Sequence, residues 1–230
     1  MMHKKTHSDS PDPYDEWIDS ACDADPSPDW PDEPEAQHGP PLNREEIEAA
    51  RTNLSRWQKP DLFIRSNKEL WARCKSEDWF NRPHLKFLHD AHVLAEFVRL
   101  TSVDQVRLAA AFERWPDGQV KIAEETHNIE VTSTHGDRKL GEEYRNVRAP
   151  TLDPVENWIA RAESIPHFLD QAVRKKAKKG YSDPCWLVVY LNISEYGIRQ
   201  LETEREIAAI KARYAASFES ISVLWKQKLY

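Results

Sequence analysis

The chain has 230 residues, of which 40% are hydrophobic, and this length allows one sizeable domain with a buried core. Its three cysteines stand far apart and show no Cys/His ligand spacing, which favours a reducing cytosol over a disulfide framework and argues against structural zinc. No segment approaches the ~18 apolar residues of a membrane span, so we expect a cytoplasmic protein without membrane contact. The sequence also lacks an ATP-binding loop, a GxSxG elbow and a dinucleotide fingerprint.

The net charge of -7 is unevenly distributed along the chain. Residues 1–42 contain two lysines, eleven acids and eight of the fifteen prolines, so this part carries -9 and the remainder +2. Such a composition buries too little apolar surface to offset the ordering entropy, which predicts a disordered acidic leader. Trp17, Ile18 and Trp30 suggest either a motif for a protein partner or a cover for a basic groove, whereas a plain solvating tail is the simpler interpretation.

Residues 43–83 predict an N-terminal helical segment, and residues 84–230 an α/β core. The first helix starts at Asn43 and ends near Gln58, where Lys59-Pro60 stops it, and a second covers Ser66 to Lys75. A longer helix opens at Pro83 and runs to about Leu100. Glu96 lies beside the apolar face of that helix, which comprises Phe87, Ala91, Leu94, Ala95 and Val98.

Two short strands with alternating apolar residues follow a weaker strand at Val106 to Phe112. They are Gly118 to Ile122 and Asn128 to Thr132, and their alternation directs Val120, Ile122, Ile129 and Val131 to the core. The opposite face then carries Asp117, Lys121, Glu130 and Thr132. A turn centred on Glu125 and Thr126 would place Lys121 opposite Glu130 and leave Asp117 on the order of 13 Å away along the strand.

Two carboxylates and an amine on one face can hold a hard divalent ion, polarise a phosphate and activate water. The simpler alternative is that Pro116-Asp117-Gly118 only forms a turn and that Glu130 is a solvated strand residue.

The residues of this hairpin resemble a known signature. Pro116-Asp117, then a gap, then Glu130-Val131-Thr132 resembles the motif of the PD-(D/E)xK nuclease superfamily, in which lysine normally stands where this chain has Thr132. The continuation, residues 134–145, is similar to an uncharacterised bacterial branch with threonine at that position. The resemblance spans roughly residues 84 to 230. It implies a restriction-endonuclease-like α/β fold, with a mixed central sheet flanked by helices, and phosphodiester hydrolysis with Mg²⁺ or Mn²⁺.

The resemblance also implies roles for particular residues. Asp117 and Glu130 would be catalytic and bind the metal ion, and Glu96 would add a ligand from the preceding helix. Lys121 or Lys176 would replace the missing motif lysine, and Lys179 is a further substitute.

A basic run ends the helix that precedes the next strand. Asp153-Pro154 opens one helix and Pro166 a second, which runs to Gly180. Cations at a helix C-terminus are favoured by the helix dipole alone, but a nucleic-acid backbone is an equally natural partner for so many of them. The predicted nucleic-acid-binding residues are Arg174, Lys175, Lys176, Lys178 and Lys179.

The remaining elements predict a mixed sheet covered by helices on both faces. A continuous apolar run from Cys185 to Ile193 is typical of a buried central strand, and a helix from Glu202 to Tyr214 and a strand from Ser220 to Trp225 follow it. Three functions remain open. The chain is a metal-dependent nuclease or a degenerate relative, a non-catalytic module that binds nucleic acid or protein with the same fold, or an interaction protein without a nucleic-acid role.

Overall fold

A computed structural model of the chain describes residues 42–74, 83–137 and 153–230. All of these belong to one compact unit, His38–Tyr230. The acidic leader lies outside the described residues, so its disorder and its protein partner stay predictions. Most of the continuation of the nuclease-like motif, after Asp137, lies outside them as well.

The first helix begins at its predicted cap, whereas the second begins at Pro60 and not at the predicted Ser66. Asn43 caps α1 (Arg44–Leu54) in a capping box with Glu46, each side chain accepting from the other residue's backbone N–H at 2.9 Å. α2 (Pro60–Ala72) starts at Pro60, because proline suits the first helical position. The first helix ends before Gln58 because Gln58 exchanges backbone hydrogen bonds with Val106, at 2.9 and 3.1 Å.

A single 3₁₀ turn, Pro83–Leu85, leads into α3 (Lys86–Arg99). The five residues predicted for its apolar face are all buried. They pack in one core with side chains of α1 and α2, including Leu54 and Phe63, and with Val120 and Val131 of the sheet.

Six strands form one mixed sheet in the order of the sequence. The strands are β1 (Gln105–Leu108), β2 (Gly118–Ile122), β3 (Glu125–Thr134), β4 (Cys185–Leu191), β5 (Ser220–Trp225) and β6 (Lys228–Leu229). β3, β4 and β5 are parallel, and the other neighbouring pairs are antiparallel. The predicted mixed α/β class is therefore confirmed. β1 is shorter than predicted because the alanines at 109–111 lie outside it, and β6 is an additional strand that the sequence analysis did not predict.

The helix before β4 is one continuous element, α4 (Val155–Ala177), and the predicted break at Pro166 is wrong. An interior proline costs a helix ~3 kcal/mol because it removes a hydrogen bond and crowds the preceding turn. Ala162 and Ile165 before the proline and Leu169 and Val173 after it are all buried, so both halves of the helix gain by lying on the same core.

The sheet is covered on both faces, as the apolar β4 predicts. Residues of β4 alternate between two cores, with Val188 facing the core of α1–α3 and Leu187 and Val189 facing the core of α4 and α5 (Gln200–Tyr214). Glu130 pairs with Leu187 in the parallel ladder, and its side chain therefore lies on the side of the sheet that α4 covers.

Within the described residues, no helix is both long enough and apolar enough to cross a membrane.

Candidate functional site

The β2–β3 hairpin turns at Ala123 and Glu124, two residues earlier than predicted. Ile122 pairs with Glu125 and Gly118 with Ile129, which places Asp117 across from Glu130. The turn does not centre on Glu125 and Thr126, so the separation of Asp117 from Glu130 that such a turn would give does not occur. Ala123 adopts a left-handed conformation, φ 53°, which a tight two-residue hairpin turn requires.

Backbone contacts hold Asp117 at this position. Its carbonyl accepts a hydrogen bond from the Ala109 N–H at 3.0 Å, and its Oδ2 accepts one from the Val131 N–H at 2.8 Å. The next residue, Gly118, begins β2 so close to α3 that a Cβ atom there would lie 2.4 Å from Leu94 Cδ1. Glycine thus allows β2 to start in close contact with α3, and this places Asp117 beside β3.

Glu130 is a buried carboxylate on the face of β3 that α4 covers, and 2% of its side chain is exposed. Two lysines from the end of α4 donate to the same oxygen, Glu130 Oε1, with Lys176 Nζ at 2.5 Å and Lys179 Nζ at 2.8 Å. Lys176 Nζ also lies 3.8 Å from Asp117 Oδ2. Lys176 consequently bridges the two carboxylates. We call Asp117, Glu130 and Lys176 the acid–lysine cluster.

The two carboxylates of the cluster have opposite electrostatic environments. Burial, Asp90 and Glu130 raise the pKa of Asp117 to about 6. Burial alone would raise the pKa of Glu130, but the hydrogen bonds from Lys176 and Lys179 outweigh it and hold that pKa below the ordinary value. Glu130 is therefore ionised at neutral pH, whereas Asp117 titrates near pH 6, just below neutrality.

Lys179 and two aromatic residues complete the surroundings of Glu130. Hydrogen bonding to Glu130 raises the pKa of Lys179, whose side chain is 51% exposed. Its ammonium lies 5.8 Å from the centre of the Tyr181 ring, and that ring stacks on Trp115 at 5.9 Å. Burial and the neighbouring Glu130 raise the pKa of Tyr181, so its phenol stays protonated.

The sequence analysis missed Trp115, Tyr181 and Asp90. The usable signal for Tyr181 is Gly180, which ends the helical segment with φ +59° and turns the chain back toward the sheet. No pattern in the sequence favours Asp90 over Glu96, the other acid of α3.

Two of the predicted site residues lie elsewhere. Lys121 pairs with Thr126, and its ammonium lies 4.6 Å from the ring of Trp57. Glu96 accepts from Arg99 Nη2 at 2.7 Å and lines a separate cavity of about 610 Å³ with His92 and Tyr190. The structure therefore keeps both residues out of the acid–lysine cluster. For Glu96 the reason is that its side of α3 faces the end of β4 and not Asp117.

The carboxylates of the cluster limit the kind of metal ion that it could hold. Within the described residues no group of three or more His, Cys, Asp or Glu side chains is arranged to hold a metal. Asp117 and Glu130 supply two carboxylates, and Mg²⁺ is commonly held by one or two carboxylates together with waters and substrate phosphates. The pair therefore fits an Mg²⁺-like ion with an incomplete protein shell, and it does not fit a metal enclosed by protein ligands alone.

The predicted nucleic-acid-binding cations point in different directions. Lys176 and Lys179 turn inward to Glu130, and Arg174 forms an ion pair with Asp170. Lys175 and Lys178 are exposed and line a groove of about 740 Å³ between α4 and the end of β3. Thr132, which replaces the motif lysine, lies in the same groove.

Several polar partners fix α4 against its neighbours. Asp170 accepts hydrogen bonds from Arg213 Nη1 at 2.5 Å and from the Tyr214 hydroxyl at 3.0 Å, both on α5. The end of α4 that carries the lysines is thereby held in place over Glu130.

Neither a family model nor a curated protein nor a solved structure matches this chain.

Proposed function

We propose that the chain is a divalent-metal-dependent, nuclease-like hydrolase of nucleic-acid phosphodiesters, with the acid–lysine cluster as its active site. The observation that carries the proposal is the meeting of Asp117 with Glu130 across the β2–β3 hairpin, with one lysine in contact with both. An acidic pair can hold a divalent ion that activates water, and an adjoining amine can stabilise charge on the phosphate.

The order of elements supports the same proposal. α3 is followed by β1, β2 and β3, then by α4 and by β4, which is parallel to β3. The acids lie just before β2 and on β3, and α4 covers them. This arrangement agrees with the restriction-endonuclease-like fold that the sequence resemblance implies, and we propose that fold for the core.

Each residue of the cluster has a chemical role under this proposal. Asp117 and Glu130 would hold Mg²⁺ or Mn²⁺, and the ion, when bound, supplies charge neutralisation at the phosphate and acidifies a water molecule. Lys176 stands in for the lysine that Thr132 replaces, because its ammonium reaches both carboxylates from the helix. Lys179 is half exposed and is free to contact a phosphate once a cation shares Glu130. Asp117 must ionise before it can bind a cation, so metal affinity should fall below about pH 6.

The test is cleavage by the purified full-length chain. Labelled DNA and RNA oligonucleotides are incubated with Mg²⁺ or Mn²⁺, and metal binding is followed by calorimetry. We expect metal-dependent cleavage that Glu130→Gln abolishes, with Lys59→Gln as a control far from the cluster. Intact nucleic acid together with no heat of metal binding would refute the proposal.

A second candidate, a non-catalytic binding module with the same fold, is favoured by one observation. Both Lys176 and Lys179 already donate to Glu130, so its charge is neutralised without a metal ion. Such a module would bind nucleic acid with a steep salt dependence that survives Glu130→Ala, and it would never cleave. The cleavage assay separates the two candidates directly.

A further inference from the structure

The groove beside the cluster has a distinct chemical character. It begins at Thr132, two residues along β3 from Glu130, and continues between the end of β3 and α4. We call it the α4 groove. Its lining includes Thr132, His135, His167, Phe168, Lys175 and Lys178.

The part of this lining that the structure describes contains three cations and two histidines but no carboxylate. Asp170 neutralises Arg174, whereas Lys175 and Lys178 form no ion pair with another described residue. Both lysines are exposed and lie three residues apart, so their side chains project from neighbouring positions on the helix. The groove therefore attracts an anion with more than one charge.

An aromatic surface accompanies the cations. Phe168 is half-buried, and its ring lies 5.2 Å from that of His167 in an edge-to-face arrangement. Cations that follow a backbone, combined with an aromatic face for a base, are typical of single-stranded nucleic-acid binding.

β2 pairs with β3 only as far as Gly118 opposite Ile129, so among the described residues no strand pairs with residues 132–134 on that side. A base reaches an aromatic side chain in such a groove only when it is unstacked, as in a single strand and not in a duplex.

We propose that the α4 groove binds single-stranded nucleic acid next to the acid–lysine cluster, with Lys175 and Lys178 on phosphates and Phe168 against a base. This inference rests on the proposed function and names its substrate class. The strand would run along α4 so that one phosphate reaches Lys176 and Lys179 at Glu130.

Binding is measured on the full-length chain in EDTA, by fluorescence anisotropy at several salt concentrations. The probes are an oligo-dT, an oligo-U and a duplex of the same length. We expect a single strand to bind at least about ten times more tightly than the duplex, and the better of oligo-dT and oligo-U identifies the sugar. A duplex that binds as tightly as both single strands would overturn the proposal.

The variants identify the groove as the binding surface. Lys175→Glu with Lys178→Glu should weaken binding at least tenfold and flatten the salt slope by about 1.4, since each single-strand phosphate contact contributes about 0.7. Phe168→Leu should weaken binding about tenfold and leave the slope unchanged. Lys59→Glu with Lys228→Glu reverses the same charge on exposed residues elsewhere and should match the wild type. An equal loss in this control would show that only net charge matters and would overturn the proposal.

Failure of this inference can be told apart from failure of the proposed function. Single-strand binding that needs Lys175 and Lys178, without cleavage in Mn²⁺, would refute hydrolysis and support the groove. Cleavage restricted to duplexes, and unchanged by the two lysine reversals, would support hydrolysis and overturn the groove.

Discussion

Asp117→Asn should make the protein more stable at neutral pH. The pKa of Asp117 is about 6 in the folded chain, against an ordinary value of 3.8. This pKa difference of about two units means that ionising Asp117 in the folded chain lowers the free energy of unfolding by roughly 3 kcal/mol. Because the folded pKa is raised, this loss is complete above about pH 6 and absent below about pH 4. Asparagine keeps an oxygen for the Val131 N–H and removes the buried charge.

The assay is urea unfolding of wild type and Asp117→Asn across this pH range. We expect the variant to be more stable by about 2–3 kcal/mol near pH 8, with the difference shrinking through pH 6 and vanishing near pH 4. Asp104→Asn is the matched control, because exposed Asp104 also accepts from a backbone N–H, that of Ala123 at 2.6 Å. Asp117→Asn should also lose metal affinity. A gain in stability together with a loss of binding is expected, since binding sites commonly retain residues that destabilise the fold. A variant that is less stable at every pH would refute this account of Asp117.

Gly118→Ala should destabilise the fold by about 1–3 kcal/mol, because the new methyl group would lie 2.4 Å from Leu94 Cδ1. Thermal unfolding measures the change, and the same substitution should cost less in a Leu94→Ala background, where Cδ1 is absent. Lys176→Met and Lys121→Met remove the same charge from different places and test which lysine serves the cluster. The first should reduce cleavage at least about tenfold and lower stability by about 1–3 kcal/mol, because it strips a donor from buried Glu130. The second should leave cleavage unchanged, and equal losses of cleavage in the two variants would contradict the placement of Lys176.

Local sequence patterns predicted the start of α1 and the positions of β2 to β5, but they did not predict the start of α2, the continuity of α4 or the presence of β6. The capping residue of α1 marks its start, and the alternation in β2 and β3 is visible within a few residues. The strand Ser220–Trp225 was predicted with its observed bounds. The apolar run of β4 likewise indicates a strand covered on both faces, because no polar position is left for solvent.

The register of the hairpin could not be obtained in this way. The predicted and observed pairings of β2 with β3 differ by an even number of residues, and such a shift keeps every side chain on its own face. Alternation therefore supports both registers equally. The contact of Gly118 with Leu94 and the hydrogen bond from Val131 to Asp117 select the observed one, and both link segments distant in sequence.

The sequence by itself identified the candidate residues, since the two acids and the basic run are local features of composition and spacing. The tertiary structure decided which of them meet. It brought Lys176 and Lys179 to Glu130, left Lys121 on Trp57, and separated Glu96 from the pair. The physical reason is that α4 crosses the sheet as one helix through Pro166. Its lysines are positioned by burial of Ile165, Leu169 and Val173, which no short motif encodes.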